Sequence, residues 1–213
     1  MNLTEDKITT YAEMISSPEG RVLSRLRRET HLKAMNPIML TGHIQGSLLR
    51  MLTSMIKPRL VLEIGTYTGY SAICMAQGLN ENGKIITIEI NPELENICRK
   101  YFAESEMNDK INLIIGDALT VIPTLEQKFD MVYIDCDKSD YLNVYNLAME
   151  KLNSGGYIFA DNVLWHGKIF ASDDKNNKGT KAIKLFNRYI KNDVRVQNLL
   201  LPMRDGLMLI QKL

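Results

Sequence analysis

From Leu60 onward, short β-rich runs alternate with amphipathic stretches, and this alternation narrows the fold more than any other feature of the chain. The runs are LVLEI, KIITIEI, INLII, FDMVYID and GGYIFA, and the stretches between them start near Gly69, Pro92, Ala118 and Ser139. Successive parallel strands need a crossover of roughly a dozen residues or more, which a helix supplies. The pattern therefore predicts βαβ units forming a parallel sheet with helices on both faces. A further helix is expected from about Lys178 to Ile190. Two final strands, VRVQNLLLP and GLMLIQKL, are joined by MRDG, a hairpin signal.

Three helices are expected ahead of this pattern. Thr4 caps the first, which runs through about Ile15. Ser16 and Glu19 stand at capping-box spacing with Pro18 in the first turn, opening a helix that carries Val22, Leu23 and Leu26. Ile44, Leu48, Leu52, Met55 and Ile56 recur at helical spacing in the third, which KPR ends. With no repeat or linker, the economical reading is a single domain over 1–213, with a helical extension over 1–57 and an α/β core over 58–213.

The bulk numbers exclude some classes. A net charge of +1 over 213 residues argues against nucleic acid or a membrane as a partner held by bulk charge. No apolar run approaches the ~18 residues of a membrane helix, and the polar, acidic N-terminus is not a signal peptide. Cys74, Cys98 and Cys136 are odd in number and never spaced C-x-x-C, which fits reduced thiols in a cytoplasmic protein.

In an open parallel sheet the first strand-to-helix turn lines the ligand crevice. Here that turn is EIGTYTGYS. A dinucleotide fingerprint needs glycine at position 67, where Tyr67 stands, so the ligand should lack a pyrophosphate. Gly65 lets a nucleoside or amino-acid group approach the backbone, and Glu63 is placed to accept from an ammonium. Twenty-four residues after Gly65, Glu89 ends the next run, where Rossmann-like folds put an acid that accepts from two ribose hydroxyls. Either acid alone would be read as a cap on nearby backbone; together with the glycines and the strand ends they indicate S-adenosylmethionine. Asp117, in the GD pair ending the third run, offers an acceptor for the adenine amino group, although GD is also an ordinary turn.

The fourth run ends in YIDCDKSDY and the fifth in FADNVLWHG, so both aim acids at the same rim. Asp135, Asp161 and Asn162 supply hard oxygen ligands suited to magnesium, with manganese and calcium as alternatives. A calcium loop starting at Asp135 is rejected because Asp140 stands where glycine is needed and Asn146 where a bidentate Glu belongs. Lys138, three residues beyond Asp135, would on most surfaces be a solvated charge. Beside a divalent cation the charged form of an amine is disfavoured, which suits Lys138 as a base.

VLEIGTYTGYS, KIITIEIN, IIGDA, VYIDCDKSDY and GGYIFADNVLWHGK, about half of the chain at consistent spacing, resemble the cation-dependent class I O-methyltransferases of the catechol and caffeoyl-coenzyme A type. The resemblance implies a Rossmann-like seven-stranded sheet, mostly parallel, with one reversed strand. It implies Thr41, Gly42, Glu63, Gly65, Tyr67, Ser71, Glu89, Asp117 and Asp135 as cofactor contacts. Asp135, Asp161 and Asn162 become the metal ligands and Lys138 the catalytic base. The expected activity is divalent-metal-dependent methyl transfer from S-adenosylmethionine to a hydroxyl of a catechol-like small molecule, in a homodimer. Other small-molecule or RNA methylation, and non-catalytic cofactor binding, are the alternatives. RNA would favour a basic face, and a mere binder has no use for Asp135, Lys138, Asp161 and Asn162 at one rim.

Two departures from the family pattern stand out. DCDK puts Asp137 where the animal catechol enzyme has tryptophan, and Arg204 stands where relatives often carry a small residue. Trp165 either flanks the substrate ring or anchors its loop. The polar loop HGKIFASDDKNNKGTK is expected to gate substrate entry.

Overall fold

A computed structural model describes residues 5–171 and 178–213. Among these, seven strands form one sheet: β1 (Leu60–Ile64), β2 (Lys84–Glu89), β3 (Ile111–Ile115), β4 (Phe129–Ile134), β5 (Leu152–Ala160), β6 (Val196–Leu201) and β7 (Leu207–Lys212). Their spatial order is β3-β2-β1-β4-β5-β7-β6. Pairings from β3 through β5 are parallel, and β7 runs antiparallel to both β5 and β6. This is the expected mostly parallel sheet with one reversed strand. The order reverses between β1 and β4, which makes their carboxyl ends the crevice where open α/β sheets bind ligands.

Among the described residues eight α-helices accompany the sheet: α1 (Glu5–Ile15), α2 (Arg21–Lys33), α3 (His43–Ile56), α4 (Tyr70–Gly78), α5 (Glu95–Glu104), α6 (Ala118–Thr124), α7 (Tyr141–Lys151) and α8 (Lys178–Asn192). Alternate strand residues feed two apolar clusters. Leu62, Ile64, Ile88, Val132 and Ile134 pack with α7 and α8 on one face, while Val61, Ile85, Met131 and Phe159 pack with α2, α3, α4 and α5 on the other. Burial on both faces is why the strands read as nearly continuous apolar runs.

The helical start departs from expectation in two places. The capping box at Ser16 and Glu19 is not formed, because α2 begins at Arg21 behind Gly20, which makes no side-chain cap. The Glu19 carboxylate instead accepts from the Arg27 guanidinium at 2.8 Å and the Tyr70 hydroxyl at 2.7 Å, joining α2 to α4. A charge-assisted pair and a long-range tie replace one local cap bond. In α3 the most buried positions are Gln45, Gly46, Leu49 and Thr53, while Met55 of the expected stripe is exposed. The Thr4 cap lies outside the described residues, as do residues 172–177 of the expected gating loop. The three cysteines are free. Among the described residues, no helix is long and apolar enough to cross a membrane.

Candidate active site

Backbone bonds carry the strands past their ends and so fix where the acids sit. The amides of Gly65, Asp135 and Asp161 donate to the carbonyls of Ile88, Ile64 and Ile134 at 3.0, 2.8 and 2.9 Å. Gly65 has φ +100, and a Cβ there would lie 2.0 Å from the Asp135 carbonyl oxygen. The glycine is thus demanded first by the neighbouring strand end, and not only by the approach of a ligand. Tyr67 also holds a left-handed backbone, at φ +51.

The Glu63 side chain is fully buried, and its Oε2 accepts from the Thr87 hydroxyl at 2.5 Å. Its Oε1 is buried without a hydrogen-bond partner. Burial drives this carboxyl up to about 8, against the pull of the Ser71 and Thr87 hydroxyls. Glu89 accepts from the Tyr67 amide at 2.7 Å and the Asn91 amide at 2.9 Å. Burial raises its pKa as well. The backbone amides of Asn91, Tyr67, Ile90 and Thr66 oppose that rise by favouring the charged carboxylate.

At the adjoining rim, Asp137 accepts from the Ser139 amide at 2.8 Å, and a single 3-10 turn over Lys138–Asp140 folds Lys138 back toward the sheet. The Lys138 Nζ donates to Asp135 Oδ1 and Asn162 Oδ1, both at 3.1 Å, and to the Tyr141 hydroxyl at 2.6 Å. Burial raises the Asp135 carboxyl to about 6, with Lys138 opposing and Asp161 adding to the rise. Asp161 is buried. Its Oδ2 accepts from Gln45 Nε2 at 2.6 Å and the Tyr133 hydroxyl at 2.8 Å, and its Oδ1 from the Asn162 amide at 2.7 Å. The structure thus brings Asp135 and Asn162 together on Lys138, with the Asp161 carboxylate close enough for its charge to be felt at Asp135.

The remaining predicted residues are distributed differently. The Thr41 carbonyl accepts from the Arg204 guanidinium, and Gly42, at φ +78, precedes α3. Asp117 is exposed and caps α6, accepting from the Leu119 amide at 2.9 Å. The Trp165 ring lies 6.0 Å from Lys138 Nζ and against Gly179, so it both borders the site and anchors its loop. Gln45, Tyr133 and Tyr141 escaped the sequence reading. Gln45 carries little signal in sequence, because α3 also holds His43, Ser47, Arg50, Thr53 and Ser54 and its buried face includes Thr53.

The residues present fit the expected ligands. Glu63 Oε1, buried without a hydrogen-bond partner, is an acceptor open to a further donor, and an ammonium there would favour the ionised carboxylate over the protonated form. Asp135 and Asn162 already converge their oxygens on a cation, the Lys138 ammonium, and with Asp161 they make an all-oxygen set of the kind that holds magnesium.

The description O-methyltransferase belongs to the family model that matches residues 13–213. The chain is 32% identical over 181 residues to probable caffeoyl-CoA O-methyltransferase 2 of Dictyostelium discoideum, covering 83% of this chain and 78% of that protein. It is 32% identical over 214 residues to catechol O-methyltransferase domain-containing protein 1 of Mus musculus, covering 98% and 81%. Among solved structures, the S-adenosylhomocysteine-bound methyltransferase of Podospora anserina superposes with a TM-score of 0.90 at 27% identity, covering 98% of this chain and 94% of the other.

Proposed function

This chain belongs to the O-methyltransferase family, and on that premise we propose that it moves a methyl group from S-adenosylmethionine to one hydroxyl of a vicinal diphenol, using a divalent cation. The observation that carries the reading is the convergence of Asp135 and Asn162 on Lys138 Nζ, with Asp161 oriented beside them.

Glu63 receives the ammonium of the methyl donor, Glu89 its ribose hydroxyls, and the turn around Gly65 its remaining length. Asp135, Asp161 and Asn162 would hold the cation, which would supply Lewis acidity to the acceptor's hydroxyl. Lys138 takes the proton from the reacting hydroxyl. The oxygen then forms a bond to the methyl carbon as the carbon–sulfur bond breaks, and the electron pair stays on sulfur in S-adenosylhomocysteine. Holding both reactants in line is worth about 7–11 kcal/mol of barrier in well-oriented systems. The Trp165 ring beside Lys138 forms one wall for the acceptor.

The same reading includes a homodimer. Ile8, Tyr11 and Ile15 of α1 and Met51 and Met55 of α3 are exposed apolar side chains on two helices that pack together, a surface suited to a second copy.

The deciding experiment is transfer of a labelled methyl group over a panel of catechols, caffeoyl esters and flavonoids, with and without chelator. Cation-dependent labelling of vicinal diphenols supports the proposal. Labelling unaffected by chelator removes the metal from it, and labelling confined to acceptors without paired hydroxyls removes the diphenol.

A further inference from the structure

Four parts of the molecule that are distant in sequence meet in one chain of hydrogen bonds. Arg204, in the turn between β6 and β7, donates through Nη1 to the Thr41 carbonyl and to Gln45 Oε1 at 3.0 Å, and through Nη2 to the Leu40 carbonyl at 3.3 Å. Gln45, in the first turn of α3, donates through Nε2 to Asp161 Oδ2 at 2.6 Å and to the Tyr133 hydroxyl at 3.0 Å. A guanidinium only donates, so it forces the amide oxygen of Gln45 toward itself and the NH2 group toward Asp161. That NH2 group, the Tyr133 hydroxyl and the Asn162 amide together fix how the Asp161 carboxylate is turned.

The segment Leu40–Gly42 leads into α3, and its Thr41 and Gly42 are among the contacts with S-adenosylmethionine that the family resemblance implies. Asp161 belongs to the cation site. Resting on that reading, we propose that Arg204 and Gln45 are positioning residues that tie the Leu40–Gly42 segment to Asp161, so that S-adenosylmethionine and a divalent cation strengthen each other's binding. Ordering either end through this chain removes part of the cost of ordering the other, and such coupling is reciprocal.

The test is calorimetric titration with S-adenosylmethionine under saturating Mg2+ and in EDTA, with Mn2+ binding followed separately by electron paramagnetic resonance. The wild type is expected to bind S-adenosylmethionine about fivefold or more tightly with Mg2+. In Arg204→Asn and Gln45→Leu this ratio should fall below about twofold, toward the value of one that means no coupling. Arg204 is an exposed turn residue at φ +49, a backbone that asparagine accepts, so Arg204→Asn should melt close to the wild type. A ratio unchanged in both variants overturns the proposal, as does a wild-type ratio of one in protein that binds Mn2+. Failure of the wild type to bind Mn2+ overturns the cation site itself, a separate and distinguishable result.

Discussion

The Nζ of Lys138 stands 2.6 Å from the hydroxyl of Tyr141, which in turn donates to the Asp161 main-chain carbonyl at 2.7 Å. Tyr141 is fully buried at the start of α7, so a rigid helix holds the tip of a flexible lysine. The amine is thereby aimed between Asp135 and Asn162.

Removing the amine should affect chemistry far more than donor binding. Lys138→Ala is expected to lower kcat by about a hundredfold or more, the range assigned to a positioned base, with the dissociation constant of S-adenosylmethionine within a few-fold of wild type. Tyr141→Phe should lower kcat less and cost about 1–3 kcal/mol of stability, because buried partners lose a hydrogen bond. Steady-state kinetics beside calorimetry separates these effects; a donor affinity that worsens as much as kcat falls refutes the assignment of Lys138.

Cation dependence should disappear with its ligands. Chelator is expected to abolish methyl transfer by the wild type and added Mg2+ to restore it. Asp161→Ala should be inactive under both conditions, since it also strands the Gln45 and Tyr133 donors. Wild-type turnover that persists at full rate in EDTA contradicts the metal site.

Gly65→Ala should be costly for a backbone reason. The new Cβ would meet the Asp135 carbonyl oxygen at 2.0 Å and its carbon at 2.7 Å, in a residue held at φ +100. Left-handed strain and overpacking together predict a loss of at least about 2 kcal/mol in denaturant unfolding. A variant as stable as the wild type shows that the strand ends move apart freely.

The Glu63 carboxyl has a definite signature in pH. Raised from 4.5 to about 8, it holds its proton more tightly in the folded chain than in the unfolded one. Its contribution to stability is therefore complete below the ordinary carboxyl range and is lost as pH rises toward 8. Between those limits the ligand-free wild type should lose melting temperature with rising pH more steeply than Glu63→Gln. Parallel profiles for the two proteins contradict a buried, protonated Glu63.

The sheet, its parallel order and its reversed last strand were legible in sequence because each has a local cause, and the same strand ends carry most of the proposed site residues. Apolar runs, crossover lengths and an Asp-Gly turn act over a few residues, and acids at strand ends share one rim once the strands are parallel. What only the tertiary structure decided involves pairs far apart in the chain. Glu19 exchanged a local cap for Arg27 and Tyr70, Gly65 answers to the backbone of Asp135, and Gln45 links Arg204 to Asp161. A hydrogen-bonding side chain carries no mark of its distant partner, because direction and distance between two groups exist only after the intervening strands and helices have packed.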